Sequence, residues 1–102
     1  MTLEDILNND EAVAIYFSGK NCGVCHVLQP KIKSLLETSF PNIKYYSFDA
    51  QEQQVLAASL NVFTVPTLLI FFDKKEFIRK SRNISISLLE DEISRPYNMI
   101  FS

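Results

Sequence analysis

Two apolar segments constrain the fold of this 102-residue chain more than any other feature of its sequence. They occupy residues 12–17 (AVAIYF) and 67–72 (TLLIFF). A strand that is apolar at every position, rather than at alternate positions, is buried on both faces of its sheet. Such strands need a helical layer on each side, so the sequence predicts an α/β fold.

The remaining segments complete a predicted element order of α-β-α-β-α-β-β-α. Helices are expected over residues 3–8, 22–38, 50–60 and 87–96, and further strands over residues 43–48 and 76–80. Parallel strands joined through a helix form a right-handed crossover, and the last two strands form an antiparallel hairpin. The length fits one domain, residues 1–102, with a mixed central sheet of about four to five strands flanked by helices on both faces.

Several helix ends and buried faces are also predicted. Thr2 fits an N-cap for the first helix, with Asp5 three residues later. Ser87 and Glu90 fit a capping box for the last helix, which is expected to end near Pro96, and the YNMIF segment after it is expected to pack on the domain. Helical spacing assigns buried positions to Val24, Val27, Leu28, Ile32, Leu35 and Leu36 in the second helix and to Val55, Leu56 and Leu60 in the third.

The charge balance argues against several classes of protein. Ten Lys and Arg against 12 Asp and Glu give a net charge of −2, without the basic face of a nucleic-acid binder. The longest nearly continuous apolar run, residues 65–72, is far shorter than the ~20 residues of a membrane span. The first eleven residues carry four acids and no Lys or Arg, unlike the start of a signal peptide. If Met1 is the natural start, we expect a cytoplasmic protein that binds neither nucleic acid nor membranes.

Cys22 and Cys25, the only two cysteines, lie just past the carboxyl end of the first predicted strand, where chemistry gathers in open α/β sheets. Cys22 begins a helix, whose free N–H groups and dipole stabilise a thiolate and lower the thiol pKa. Cys25 lies one turn further along and is expected to be more deeply buried. The spacing predicts thiol–disulfide exchange, in which Cys22 attacks a substrate disulfide and Cys25 resolves the mixed disulfide. The cysteine pair carries the electrons, so no cofactor is expected.

Together with the element order, three motifs resemble the thioredoxin family over about residues 5–95. They are the CGVCH segment at residues 22–26, Pro30 within the following helix, and the TVPT segment at residues 64–67. The resemblance implies a thioredoxin fold and a monomeric protein-disulfide reductase. It also implies recycling by an NADPH-dependent thioredoxin reductase and substrates that are protein disulfides.

The resemblance further assigns roles to individual positions. It implies that the Val65–Pro66 peptide bond is cis and lies beside the cysteines, and that the backbone of Val65 pairs with an extended substrate segment. The implied substrate-binding residues are Thr64, Val65 and Pro66. The active-site loop and the positions that tune the cysteines are Asn21, Gly23, Val24, His26 and Tyr16.

The chain also departs from the thioredoxin pattern. The family's WCGPC reads NCGVC at residues 21–25, and the chain has no tryptophan. The position of the family's buried Asp is occupied by Tyr16, and that of its Lys partner by Ser47. Core packing is the expected role of Tyr16, although its hydroxyl, Ser47 or a water could replace the ion pair.

Val24 in place of proline is expected to loosen the helix start and to make the cysteine pair less reducing than that of thioredoxin. Pro30 is expected to kink its helix.

Other uses of the cysteine segment stay open at this point. The pattern C-x-x-C-H also attaches c-type haem, with His26 as axial ligand, but that use requires export and a mostly helical fold. Cys22, Cys25 and His26 lack a fourth zinc ligand, so no metal site is predicted. His26 is expected to be an exposed helix residue or, when protonated, to stabilise the Cys22 thiolate. A static disulfide or two inert buried thiols would leave the pair without a redox role.

Two alternatives concern the whole domain. Glutaredoxins share the TVP segment, so a glutathione-dependent reductase stays open, but the region around Arg82 and Asn83 lacks the Gly-Gly pair of that family. A thioredoxin-like binding or chaperone module with little turnover is also open, because the ion pair and the tryptophans are missing.

Five basic residues cluster around the predicted hairpin. They are expected to solvate an edge strand and guard it against aggregation, with steering of acidic partners as the alternative. These residues are Lys74, Lys75, Arg79, Lys80 and Arg82.

Overall fold

The predicted element order is confirmed in a computed structural model that describes residues 2–101. The elements are α1 (Leu3–Asn9), β1 (Ala12–Ser18), α2 (Gly23–Ser39), β2 (Lys44–Asp49), α3 (Gln54–Ser59), β3 (Thr67–Phe72), β4 (Lys75–Ser81) and α4 (Ile86–Phe101). Within the described residues, no helix is both long enough and apolar enough to cross a membrane.

The strands form one mixed sheet, as predicted, with four strands in the order β2-β1-β3-β4. β1 runs parallel to β2, and β3 runs antiparallel to both β1 and β4. Phe17 pairs with Thr67, so the carboxyl end of β1 lies beside the amino end of β3. This pairing brings the cysteine segment and the TVPT segment to the same edge of the sheet.

The two apolar segments are buried on both faces, which confirms the prediction from which the fold was inferred. Alternate residues of β1 and β3 enter two separate cores. Tyr16, Leu68 and Ile70 belong to the core beneath α2 and α4. Phe17 and Leu69 belong to the core beneath α1 and α3. Burying each large apolar side chain contributes roughly 1.5–3 kcal/mol, so neither helical layer can be removed without exposing half of this surface.

Three buried positions were predicted wrongly from helical spacing. Val24 and Val27 are 48% and 57% exposed, whereas Cys25 and Leu28 in the same turns of α2 are buried, so the two valines lie outside the buried face of the helix. Val55 is 86% exposed because it lies on the side of α3 opposite the buried Leu56, Ala57 and Leu60, and α3 is also shorter than predicted. Residues 50–53 form turns in which the Asp49 carboxylate accepts the N–H groups of residues 51 and 52, so α3 begins at Gln54 rather than at residue 50.

The first helix has the predicted cap, whereas the last helix differs from its prediction at both ends. Thr2 and Asp5 form a reciprocal capping box, which holds the pKa of Asp5 below its usual range. In α4 the Oγ of Ser85, not of Ser87, accepts the N–H of Leu88, at 3.4 Å. The helix continues through Pro96 to Phe101, although a proline inside a helix removes one backbone hydrogen bond and crowds the carbonyl four residues earlier.

The aromatic residues of the last turns explain why α4 continues past its proline. The Tyr97 ring centroid lies 5.0 Å from that of Phe40 and 4.8 Å from that of Phe101. The Tyr97 hydroxyl accepts the N–H of Asn42 at 3.1 Å. The prediction that the YNMIF segment packs on the domain is therefore confirmed for Tyr97 and Phe101, whereas Met99 is 78% exposed. The helix α2 likewise continues through Pro30, and the kink there stays a prediction.

Replacing Tyr97 with Ala should destabilise the protein through loss of this docking. We expect the free energy of unfolding to fall by about 2–4 kcal/mol, because ring contacts and a hydrogen bond are lost together. Urea unfolding followed by circular dichroism measures the change. Met99→Ala, two residues further along the same helix, is the matched control and should change stability by less than about 0.5 kcal/mol. Equal effects of the two substitutions would show that the end of α4 is not docked.

Candidate active site

The two cysteines lie at the start of α2, the element that follows β1. Cys22 is the N-cap of α2, with extended backbone (φ −105°, ψ 96°), and its Sγ accepts the N–H of Cys25 at 3.2 Å. The two sulfurs are joined in a disulfide, and the Cα atoms lie 5.3 Å apart. Cys25 is completely buried, whereas Cys22 is partly exposed. A second sulfur can therefore approach Cys22 from solvent, while Cys25 can be reached only through Cys22.

The helix end gives the partly exposed sulfur a suitable electrostatic environment. The N–H groups of the first helical turn have no carbonyl partner within the helix and carry a partial positive charge. The first turn of α2 contains no acidic residue that would oppose a negative charge there. A thiolate formed at Cys22 is thus stabilised by the Cys25 N–H and by the helix dipole.

The TVPT segment packs directly against the cysteine segment. The Val65–Pro66 peptide bond is cis, as the family resemblance implied. A Cβ placed on Gly19 would lie 3.3 Å from Cγ2 of Val65 and 3.8 Å from Cβ of Cys22, so the small residue lets the two segments approach closely. Pro66 is buried, Val65 is partly exposed and Thr64 is exposed.

The backbone of Val65 is available for pairing with another segment. The Pro66 carbonyl accepts the N–H of Arg82 at 2.9 Å, and the Thr64 carbonyl accepts the Thr67 hydroxyl at 2.7 Å. Within residues 2–101, neither the N–H nor the carbonyl of Val65 is bound to another backbone group. An extended peptide could use both groups in the manner of an added strand.

Tyr16 connects β1 to the first turn of α2. Its side chain is completely buried in β1, and its hydroxyl donates a hydrogen bond to the carbonyl oxygen of Cys25 at 2.8 Å. Burial raises the pKa of Tyr16 to about 12, and the nearby Tyr45 contributes to this increase. The phenol therefore keeps its proton at neutral pH. Core packing, the expected role of Tyr16, is confirmed, and the hydroxyl is in addition a donor that positions Cys25.

Ser47 does not reproduce the missing ion pair. It lies opposite Tyr16 in the parallel register of β1 and β2, but it is exposed. Its Oγ accepts a hydrogen bond from Nε2 of Gln29 at 2.9 Å, which links β2 to α2. The side chains that occupy the positions of the family's Asp and Lys are thus a protonated phenol and a hydroxyl, both neutral.

The other predicted loop residues form an open rim. Asn21, Gly23 and His26 are exposed, and Val24 exposes about half of its side chain. A Cβ on Gly23 would meet no atom within 4 Å, so the site does not need a glycine there for space. Nε2 of His26 lies 3.4 Å from the Lys20 carbonyl, and a hydrogen bond between them requires the proton on Nε2. The exposed position expected for His26 is confirmed, and its effect on the thiolate stays a prediction.

Two contributors to this site were not identified from the sequence. Gly19 permits the close contact between the cysteine and TVPT segments. It is one of only two glycines in the chain, and this rarity could have indicated that the position has a structural role. Arg82 holds the Pro66 carbonyl through its backbone, which requires a positive φ of 63°. Nothing in the identity of an arginine predicts that conformation. Among residues 2–101, no three His, Cys, Asp or Glu side chains converge as a metal site.

Comparisons with known proteins agree with this geometry. The Thioredoxin family model matches residues 2–95. Thioredoxin-like protein YdfQ from Bacillus subtilis is 34% identical over 99 residues, covering 97% of this chain and 88% of that protein. Thioredoxin-1 from Saccharomyces cerevisiae is 30% identical over 73 residues, covering 72% of this chain and 70% of that protein. The structure of thioredoxin 1 from Thermosipho africanus has a TM-score of 0.78 at 31% identity, covering 88% of this chain and 99% of that chain.

Replacing Tyr16 with Phe tests the anchor beneath the cysteines. The substitution keeps the ring and removes the donor to the Cys25 carbonyl, so the free energy of unfolding should fall by about 0.5–1.5 kcal/mol near pH 8. The pKa of Tyr16 is about 12 in the folded state, against 10.0 for an unperturbed tyrosine. The stabilisation from the protonated phenol is thus complete below pH 10 and is lost as the pH rises towards 12. The difference between the two proteins should shrink over that range in urea unfolding.

The matched control is Tyr46→Phe, a partly buried tyrosine of β2 that packs against the opposite core. It should change stability by less than about 0.5 kcal/mol at each pH. A Tyr16→Phe effect that stays constant up to pH 12 would contradict the assigned pKa of Tyr16.

Proposed function

Because this chain belongs to the thioredoxin family, we propose that its cysteine pair works in the reducing direction on disulfides of client proteins. The family match and the bonded Cys22–Cys25 pair make the protein a thiol–disulfide oxidoreductase. One observation carries the proposal. A partly exposed sulfur lies at a helix N-terminus, and a buried sulfur lies one turn behind it, which is the asymmetry that a nucleophile and a resolving thiol require.

The reaction proceeds in two exchange steps. The Cys22 thiolate attacks one sulfur of the client disulfide, which forms a mixed disulfide and releases the other client sulfur as a thiolate. The Cys25 thiolate then attacks the Cys22 sulfur, which releases the second client thiol and forms the disulfide seen in the structure. Two electrons pass from the cysteine pair to the client. The second step is fast because both sulfurs belong to one helical turn.

Client docking is assigned to the TVPT segment. The exposed Thr64 and the partly exposed Val65 offer an extended strip beside Cys22, and the buried Pro66 supports it from below. The unpaired N–H and carbonyl of Val65 support strand addition by the client backbone. Main-chain pairing of this kind depends little on client sequence, so one site can serve many clients.

The electron donor and the cell compartment follow from the reducing direction. Each client turnover leaves the pair oxidised, so a dithiol donor must reduce it again, and an NADPH-dependent thioredoxin reductase supplies that chemistry. A pair that must be kept reduced belongs in a reducing compartment, for which we propose the cytoplasm. The protein is proposed to act there as a monomer.

Several alternatives are not favoured. The haem-attachment pattern requires a mostly helical fold, whereas a four-stranded sheet forms the centre of this domain. The family match is to thioredoxin, and the region around Arg82 and Asn83 lacks the glycines of a glutathione site. A binding module with little turnover would not accelerate the reduction of insulin, so an insulin reduction assay distinguishes it from a reductase.

Reduction of insulin by dithiothreitol, followed as turbidity, tests the activity. The protein should accelerate precipitation of the insulin B chain, and Cys22→Ser should abolish the acceleration because the attacking thiolate is lost. Cys25→Ser, reduced with dithiothreitol and freed of it before insulin is added, should retain attack but stop after the first step, so a mixed disulfide with the client accumulates and is detected by mass spectrometry. Met99→Ala, an exposed substitution on α4, is the matched control and should keep the wild-type rate. Equal turbidity rates with and without wild-type protein would instead support a binding module.

The redox potential of the pair tests the role of Val24. Val24 lies in the first turn of α2, where a proline's missing N–H costs no helical bond and its fixed φ stiffens the turn. Stiffening favours closure of the disulfide, so the wild-type pair should lie above the roughly −270 mV of thioredoxin, and Val24→Pro should lower it by ~30 mV. Equilibration with a glutathione buffer measures both values.

The matched control for this substitution is Val27→Ala, one turn later on the same exposed side of α2. It should leave the potential unchanged. A wild-type potential at or below that of thioredoxin would contradict the role given to Val24.

A further inference from the structure

The basic residues of the hairpin lie along β4 and at both of its ends. Lys74 lies in the turn before the strand, and Arg82 follows its last residue. The seven residues of β4 span roughly 20 Å at about 3.3 Å per residue. Arg79 and Lys80, between these ends, are bound to carboxylates in ion pairs of 2.8 Å. Lys80 and Arg82 both lie towards the end of the sheet where the cysteines are, and of these two only Lys80 has a carboxylate partner within residues 2–101.

Arg82 adopts a backbone conformation that favours glycine. Its φ is +63°, in the left-handed region, where a side chain is sterically disfavoured and glycine is not. The conformation lets its N–H donate to the Pro66 carbonyl at 2.9 Å. A glycine would provide the same hydrogen bond with less strain. The side chain of Arg82 is exposed and plays no part in that hydrogen bond, so it is free to contact a bound segment.

Arg82 lines a groove next to the first turns of α2. The groove has a volume of about 320 Å³, and its lining consists of Val24, Leu28 and residues 82–85, which include the polar Asn83 and Ser85. Val24 is two residues from Cys22 and exposes about half of its side chain to this groove and to solvent. Leu28 and Ile84 are buried apolar residues. Within residues 2–101, none of the ion pairs includes Arg82. Arg82 is therefore the one charged residue of a groove whose other lining residues are apolar or uncharged, and no carboxylate among residues 2–101 pairs with it.

We propose that Arg82 selects client segments that carry an acidic side chain beside the cysteine that is attacked. The inference rests on the proposed function, because it concerns which clients the cysteine pair reduces. A segment that pairs with Val65 lies one residue from Pro66, whose carbonyl is bound by Arg82. We expect an Asp or Glu flanking the client cysteine to lie near Arg82, whose guanidinium binds carboxylates through paired N–H donors. Arg82 acts in docking and takes no part in sulfur exchange.

Two short peptide disulfides provide the test. Each probe is a pair of identical fluorescent peptides joined by one disulfide, with either Glu or Lys at both positions flanking the cysteine. The protein is reduced with dithiothreitol, freed of it, and mixed with each probe in single-turnover experiments. Rates are divided by the rate of the same probe with dithiothreitol, which removes differences in intrinsic reactivity. At low salt the wild type should reduce the Glu probe about 3- to 10-fold faster than the Lys probe, and about 0.5 M salt should diminish the ratio.

Variants of Arg82 separate charge selection from a structural role. Arg82→Glu should reverse the preference for the Glu probe. Arg82→Gly should abolish the preference without lowering the melting temperature, because glycine adopts the positive φ more readily. Lys74→Glu is the matched control, since it makes the same charge change at another positive φ, 67°, at the far end of the hairpin. It should leave the preference unchanged.

The outcomes distinguish this inference from the function on which it rests. Equal normalised rates of the wild type on the two probes would overturn the role of Arg82 and leave the reductase function intact. An equal change of preference in Lys74→Glu and Arg82→Glu would also overturn it, because net charge would then explain the effect. Failure of the wild type to reduce either probe would overturn the proposed function together with the inference.

Discussion

The antiparallel pairing of β1 with β3 is the constraint on which the rest of the molecule depends. Both strands are buried on both faces, so each requires a helical layer above and below the sheet. The same pairing places the carboxyl end of β1 beside the amino end of β3, and thereby brings Cys22 and the cis Val65–Pro66 bond together. The element that stabilises the fold and the element that assembles the active site are therefore one pair of strands.

Beneath the cysteines, this protein has neutral groups where its family has an ion pair. The Tyr16 hydroxyl donates to the Cys25 carbonyl, and Ser47 binds Gln29 across from β2 to α2. A protonated phenol orients the helix that carries the resolving thiol, but it cannot accept a proton from that thiol at neutral pH. One buried carboxylate could both position the resolving thiol and accept its proton. Here Tyr16 serves only the first role, so the proton of the resolving thiol passes to solvent or to the departing client thiolate.

Much of the fold could be predicted because its signals are local and are also its causes. Continuous apolar residues produce strands buried on both faces, and Thr2 with Asp5 produces the cap that was predicted. The exposure of Val24 and Val27 could not be predicted, because helical spacing does not show how wide a face of the helix is covered. The cis bond came from the family resemblance and not from any physical signal in the residues.

Tertiary contacts account for the features of the ends and loops that sequence reasoning could not provide. α4 continues through Pro96 because Tyr97 packs against Phe40, which lies far away in the sequence. The left-handed backbone of Arg82 follows from its bond to the Pro66 carbonyl, a partner that only the folded hairpin supplies.

The position of β3 in the chain also has a consequence for synthesis on the ribosome. β1 is complete by Ser18, but its antiparallel partner is not available until Phe72 has been translated, and the helix that covers one face follows last. Until then the emerging polypeptide exposes a wholly apolar strand with one unpaired edge, the kind of segment that associates with other chains. Productive folding therefore occurs late, and a nascent chain stalled before β3 is a natural substrate for chaperones.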